Sequence, residues 1–282
     1  MKLNRTTAYV AAVISLILLL CGCNQTDDNA VSSGNGEMSG EEWEIAEIIY
    51  LDADYDQKSR STYLYNDHGD MCRYESYDEN DVRVNLFLWE YTYLEDGRVS
   101  SVYNDGGDAT SSYNDVYTWD PSGRIAYIDR TWDDGSTGGP EMKAYDEQGR
   151  LIESADGTYQ FYYTYTDTMN TVNRYWIKDD SCEYTVRKLN KNGSVEEMRV
   201  YNVDGFREYT EADLSQYTVY EYDKDGKLAG TVKYDASGNV VSASRNEYED
   251  DSHSYTSTNY NSSEEITGYS VYKYRPLSEI TE

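Results

Sequence analysis

The amino-acid sequence predicts an all-β protein: a repeat-built antiparallel β-meander of stacked hairpins, free to curl, behind a signal peptide and a flexible linker. Three observations carry that prediction. The 282 residues include 32 Tyr and 5 Trp but only 3 Phe and 3 Pro. Aromatic rings with polar tips suit a pleated, half-buried surface, and an extended sheet excludes Pro. A seven-residue turn unit recurs along most of the chain, and between its copies large and polar side chains alternate at the period of a strand. With few aliphatic residues and a formal charge of −29, the chain would read as disordered without its tyrosines.

The N-terminus opens Met1-Lys2-Leu3-Asn4-Arg5, runs apolar from Tyr9 to Leu20 and reaches Cys21-Gly22-Cys23. A basic head followed by about a dozen apolar residues is a secretory signal, too short to span a bilayer as a helix. Leu20-Cys21-Gly22-Cys23 resembles the bacterial lipobox, in which Leu stands three before and a small residue one before the modified Cys. The resemblance implies removal of residues 1–22, a thioether-linked diacylglycerol on Cys23 and a stable membrane anchor. The expected location is the bacterial cell envelope, lipid-anchored on the extracytoplasmic side of a membrane. Cleavage removes Lys2 and Arg5 and no acid, which takes the formal charge from −29 to −31. Residues 23–41 then form the lipidated Cys and a polar tether, with a reach of about 20–25 Å for a flexible coil of this length.

Residues 42–282 are expected to form one β domain. Trp43–Tyr50 reads as a first strand or a short helix, because periodicity does not separate the two over so few residues. The turn unit follows: an aromatic, Asp or Asn, two variable residues, Gly, a polar residue and an aliphatic one. Its glycines are Gly69, Gly97, Gly123, Gly149, Gly193, Gly205, Gly226 and Gly238. The carboxylate or amide bonds the backbone two residues on, and Gly supplies the left-handed conformation that closes a hairpin with a one-residue bulge. The flanking aromatic and aliphatic residues are then cross-strand partners on one face. Spacings of 12 between glycines are single arms, and spacings near 26 hide a weaker turn. Tyr269–Tyr274 reads as the closing strand, with a frayed end after Pro276.

Tyr145-Asp146-Glu147-Gln148-Gly149-Arg150-Leu151 matches the Tyr-Asp-x-x-Gly-Arg-Leu signature of the YD repeat letter for letter. The unit therefore resembles the YD repeats of the bacterial RHS family, in degenerate copies over roughly residues 60–245. The resemblance implies sheets of stacked hairpins. It does not imply a toxin shell, since the chain is too short to enclose a cargo.

Little in the sequence points to chemistry. The acidic balance disfavours nucleic acid and anionic membrane surfaces as partners. No cofactor-binding motif is present. Asp52-Ala53-Asp54-Tyr55-Asp56 opens like a calcium loop, but Gln57 stands where Gly is required and Tyr63 where a bidentate Glu belongs, so no metal site is assigned. His68 and His253 read as exposed turn residues, not catalytic bases. Cys72 and Cys182 are either separate small side chains or a disulfide, and spacing does not decide between them.

Phe87–Tyr93 and Tyr159-Gln160-Phe161-Tyr162-Tyr163-Thr164-Tyr165 are the aromatic-rich stretches. Tyr159, Phe161, Tyr162, Tyr163 and Tyr165 are the candidate binding residues, with core packing as the competing role. The expected function is a non-enzymatic, lipid-anchored binding or scaffold module recognising a protein or glycan. The alternatives are an envelope glycoside hydrolase using paired carboxylates and a structural spacer.

Overall fold

A computed structural model describes residues 43–107, 111–249 and 253–281. The signal peptide 1–22, Cys23 and the tether lie outside the described residues. The strands, in chain order, are β1 (Trp43–Leu51), β2 (Gln57–Tyr65), β3 (Met71–Tyr77), β4 (Arg83–Tyr93), β5 (Val99–Asp105) and β6 (Tyr113–Trp119). Then follow β7 (Ile125–Trp132), β8 (Glu141–Tyr145), β9 (Leu151–Ala155), β10 (Tyr159–Tyr165), β11 (Met169–Trp176) and β12 (Ser181–Leu189). The last six are β13 (Val195–Asp204), β14 (Leu214–Tyr222), β15 (Leu228–Asp235), β16 (Val240–Glu249), β17 (Ser254–Asn261) and β18 (Ile266–Pro276).

Each strand pairs antiparallel with its neighbours in sequence. β18 also pairs with β1, from Trp43↔Pro276 to Leu51↔Tyr269, and this closes the 18-stranded meander into a barrel without a free edge. Trp43–Tyr50 is thus strand, held from both sides.

The turns fall on two ends. The entry end, where β1 begins, carries the repeat turns at Gly69, Gly97, Gly123, Gly149, Gly193 and Gly226; Gly238 sits at the far end. All seven have φ between 81° and 86°. At Asp120 the side-chain Oδ1 accepts the N–H groups of Ser122 and Arg124 at 2.8 and 3.0 Å, and Gly123 N–H donates to the Asp120 carbonyl. The aromatic and aliphatic residues of each unit are direct partners beside a bulge, as in Trp119↔Ile125 and Tyr145↔Leu151. The hidden turns have the same form. Asp52–Asp56, Asp78–Val82 and Asn261–Glu265 close with Tyr55, Asp81 and Glu264 at positive φ in place of glycine.

Gly205 corrects the expectation of a further hairpin. β13 runs straight through Tyr201–Asp204, and Gly205 follows it with its N–H donating to the Asp180 carbonyl at 2.7 Å. Phe206 and Arg207 replace the polar and aliphatic residues that would re-enter the sheet. The chain instead crosses the outer wall to a 3-10 turn at Glu211–Asp213 and covers Cys182, Tyr201 and Val203.

The registers carry one wall unbroken around the ring. Tyr63, Tyr74, Phe87, Trp89 and Val102 lie on it, as do the buried polar residues Ser61, Ser76, Asn104, Asp115, Ser154 and Ser270. This is the inner wall. From β1 to β5 it is packed into the main core, where Tyr63, Tyr65, Met71 and Trp89 are no more than 7% exposed.

The segment after Pro276 does not fray. Leu277–Glu279 forms a 3-10 turn, Ile280 is buried in that core, and Tyr65 N–H donates to the Ile280 carbonyl at 3.0 Å. The spacing of Leu277 and Ile280 puts both on one face, which caps the core at the entry end beside Gly69. Cys72 and Cys182 are free thiols on β3 and β12, strands far apart in the ring.

Candidate binding face

The inner wall changes character after β5. On β6 and β7, Asp115 is 6% exposed and receives Nε and Nη2 of Arg130, each at 2.7 Å. The Arg130 guanidinium lies 4.0 Å from the Tyr113 ring centre and 5.8 Å from that of Trp132. Burial works against its charge, but the bonds to Asp115 outweigh this and hold it protonated beyond the usual range. On β8, Glu141 takes hydrogen bonds from Lys143 Nζ and Ser154 Oγ, both at 2.7 Å. Burial raises its proton affinity, and Lys143, Ser154 and Arg130 together bring it below the ordinary carboxylate range.

The next two strands supply an aromatic strip. The β10–β11 register pairs Tyr159 with Trp176, Phe161 with Arg174, Tyr163 with Val172 and Tyr165 with Asn170, all on the inner wall. Tyr159 meets Phe161 edge-on at 5.4 Å, and Phe161 stacks towards Tyr163 at 6.4 Å. The Arg174 guanidinium lies 4.9 Å from the Phe161 ring and 5.4 Å from Trp176. These side chains are half-buried, unlike their counterparts on β2 and β3.

Of the five candidate aromatics, Tyr159, Phe161 and Tyr163 come together on this strip. Tyr165 stands at its entry-end limit, its hydroxyl donating to the Leu151 carbonyl at 2.8 Å and its ring covered by Arg150. Tyr162 points to the opposite wall, where its ring lies 5.8 Å from Phe206. The seven repeat-turn glycines shape the two rims and do not touch the strip. The partners that sequence reading missed are Arg174 and Trp176, which the alternation Asn170-x-Val172-x-Arg174-x-Trp176 carries onto the same face as Phe161.

The two histidines stack on aromatic rings. His68 is exposed and lies 3.8 Å from the Tyr93 ring; His253 is half-buried, not exposed, and lies 3.7 Å from Trp43. Among the described residues no group of three His, Cys, Asp or Glu side chains is placed to hold a metal ion.

No protein-family model matches the chain, and no curated protein matches it. Among solved structures, it is similar to a porin-like protein from Bacteroides uniformis at 11% identity and a TM-score of 0.44, covering 82% of this chain and 97% of that one.

Proposed function

We propose that this chain is a non-enzymatic recognition barrel of the bacterial cell envelope, held by a lipid on Cys23. It binds its ligand on the inner strip of β10 and β11. The observation that carries this reading is the half-buried aromatic strip with Arg174 laid across it. Aromatic side chains cost little conformational entropy to present and offer flat apolar area with polar tips, which suits sugar rings and protein side chains alike. A bare spacer has no need of such a wall.

The outer wall supports a body outside the lipid. Glu47 on β1 is bonded by Lys273 at 2.6 Å and lies 3.5 Å from Arg60, and Glu75 on β3 bonds Arg73 and Arg83, each at 2.9 Å. Charges at mid-strand are costly against hydrocarbon, and β8 and β9 have 5 residues each where a spanning strand needs about 9–11. The lipobox-like leader then supplies the membrane attachment, with the entry end nearest the lipid and the far end turned outwards. The hairpins are read as degenerate YD repeats, shortened and closed on themselves.

The strip does not favour hydrolysis. Every carboxyl whose proton affinity departs from the ordinary, among the described residues, is held low. A glycosidase acid needs the opposite displacement. The test is retention of the full chain, in mild detergent, on purified cell wall and on a glycan array. Saturable retention is expected; absence of retention on either surface overturns the recognition reading for envelope ligands.

A further inference from the structure

We infer that the strip selects a carboxylate-bearing ligand with a flat apolar face, and that Arg174 is the group that meets the carboxylate. The inference rests on the recognition reading above and names its ligand chemistry. Most described arginines are spent on acids of the chain itself. Arg130 is paired bidentately with Asp115, and Arg124 and Arg150 are paired with the Asp of their own turns at 2.9 and 2.8 Å. Arg174, Arg187, Arg245 and Arg275 take part in no ion pair among the described residues; Arg174 and Arg187 are the half-buried ones, and of the four only Arg174 lies over aromatic rings. Glu183 is its cross-strand partner on the same wall, yet no guanidinium nitrogen comes within 4.0 Å of that carboxylate.

In a chain with 53 acids and 24 Lys and Arg, a half-buried guanidinium without an acid, set over two aromatic rings, is a group placed to take a partner. Its surroundings specify that partner. The guanidinium lies 4.9 and 5.4 Å from the Phe161 and Trp176 ring centres, which hold it on the strip by cation–π attraction. A planar fork of donors matches a carboxylate bidentately. Tyr159 and Tyr163 extend the apolar surface on either side of Phe161, so a ring attached to that carboxylate would lie flat along β10. The acidic body repels anions at long range, so binding depends on this local geometry.

Two sources offer that chemistry: an acidic sugar residue of an envelope polymer, and a free aromatic acid. The experiment is equilibrium binding of the full chain in mild detergent to oligogalacturonate, to benzoate and to a neutral cello-oligosaccharide. It is repeated with Arg174→Gln and with Arg245→Gln, a variant of an exposed arginine on β16. The expected result is binding of a carboxylate probe, weakened by about tenfold or more in Arg174→Gln and unchanged in Arg245→Gln. Oligogalacturonate alone identifies the polymer as the source; benzoate binding identifies the free acid. Binding of the neutral probe with equal strength, indifferent to Arg174→Gln, overturns the inference and leaves the recognition reading standing. Binding of none of the probes, with saturable retention on cell wall, also overturns it. Failure of every probe and of cell wall overturns both.

Discussion

At the residue scale, the turns rest on backbone sign more than on space. Gly149 has φ of 84°, and a Cβ there would meet nothing closer than Arg124 Nη1 at 3.9 Å. Gly149→Val is therefore strained by conformation alone and should lose about 1–2 kcal/mol in urea melting; an unchanged midpoint would refute the left-handed turn. Glu264 gives the converse case. It stands at φ of 61° in a turn of the same form, so Glu264→Gly should raise stability by about 0.5 kcal/mol, the released strain less the added chain entropy. The seven hairpin glycines were legible in sequence because the strain has one common remedy. The turn at Asp81 was legible only as an unplaced weaker turn between Gly69 and Gly97, and the turn at Glu264 was not, because there the chain bears the strain without glycine.

At the scale of the element, the repeat acquires a reason that its letters do not show. The aromatic of one hairpin donates to the carbonyl of the aliphatic residue in the hairpin before it. Trp119 reaches Val99, Tyr145 reaches Ile125 and Tyr222 reaches Val195, at 2.8–2.9 Å. The arginine after the glycine then lies over the next aromatic, Arg98 over Trp119 and Arg124 over Tyr145, at 5.0 and 4.8 Å. The Gly97 and Gly123 hairpins are thus fastened to their successors by a bond and a cation–π contact, whereas at Gly193, followed by Ser194, the bond stands alone. Tyr145→Phe should cost about 0.5–1.5 kcal/mol, read by chemical denaturation against Tyr162→Phe, whose hydroxyl meets only Gln160. Equal losses would deny the latch its role. Sequence reading found the cross-turn pair of each unit because it is local. It missed the latch, which joins residues 20 or more apart, and it missed β17, whose Ser, Thr and Asn lack an apolar period.

At the scale of the whole molecule, the ring holds an acidic chain together by spending carboxylates locally. Asp120 accepts the Arg124 backbone N–H and is held below its usual range. Burial works to raise Glu75, but Arg73, Tyr77 and Arg83 bring it down to about 2. Unfolded carboxyls titrate near 4, so the folded state binds fewer protons than the unfolded one as pH falls through that window. Stability present above about pH 4 should be lost towards pH 2, and a melting temperature that is flat over that range would contradict these pairings. Closure itself was only half legible. β18 was readable as the last strand, but its return to β1 and the burial of Ile280 depend on contacts between chain ends. Ile280→Ala should cost about 2–4 kcal/mol; a surface-like loss below about 0.5 kcal/mol would show that the tail does not seal the core.

The leader adds an outcome at the same scale. Cys23→Ala should move the chain from the membrane to the soluble fraction, and persistent membrane association would end the lipid-anchor reading. The inner and outer walls alternate residue by residue along β10, so neighbouring positions separate the two faces. Phe161 faces the strip and Tyr162 the opposite wall. Retention of the full chain on cell wall and glycan array should be abolished by Phe161→Ala and preserved by Tyr162→Ala, with both variants folded by circular dichroism. Retention lost in Tyr162→Ala and kept in Phe161→Ala would place recognition on the outer wall and contradict the account.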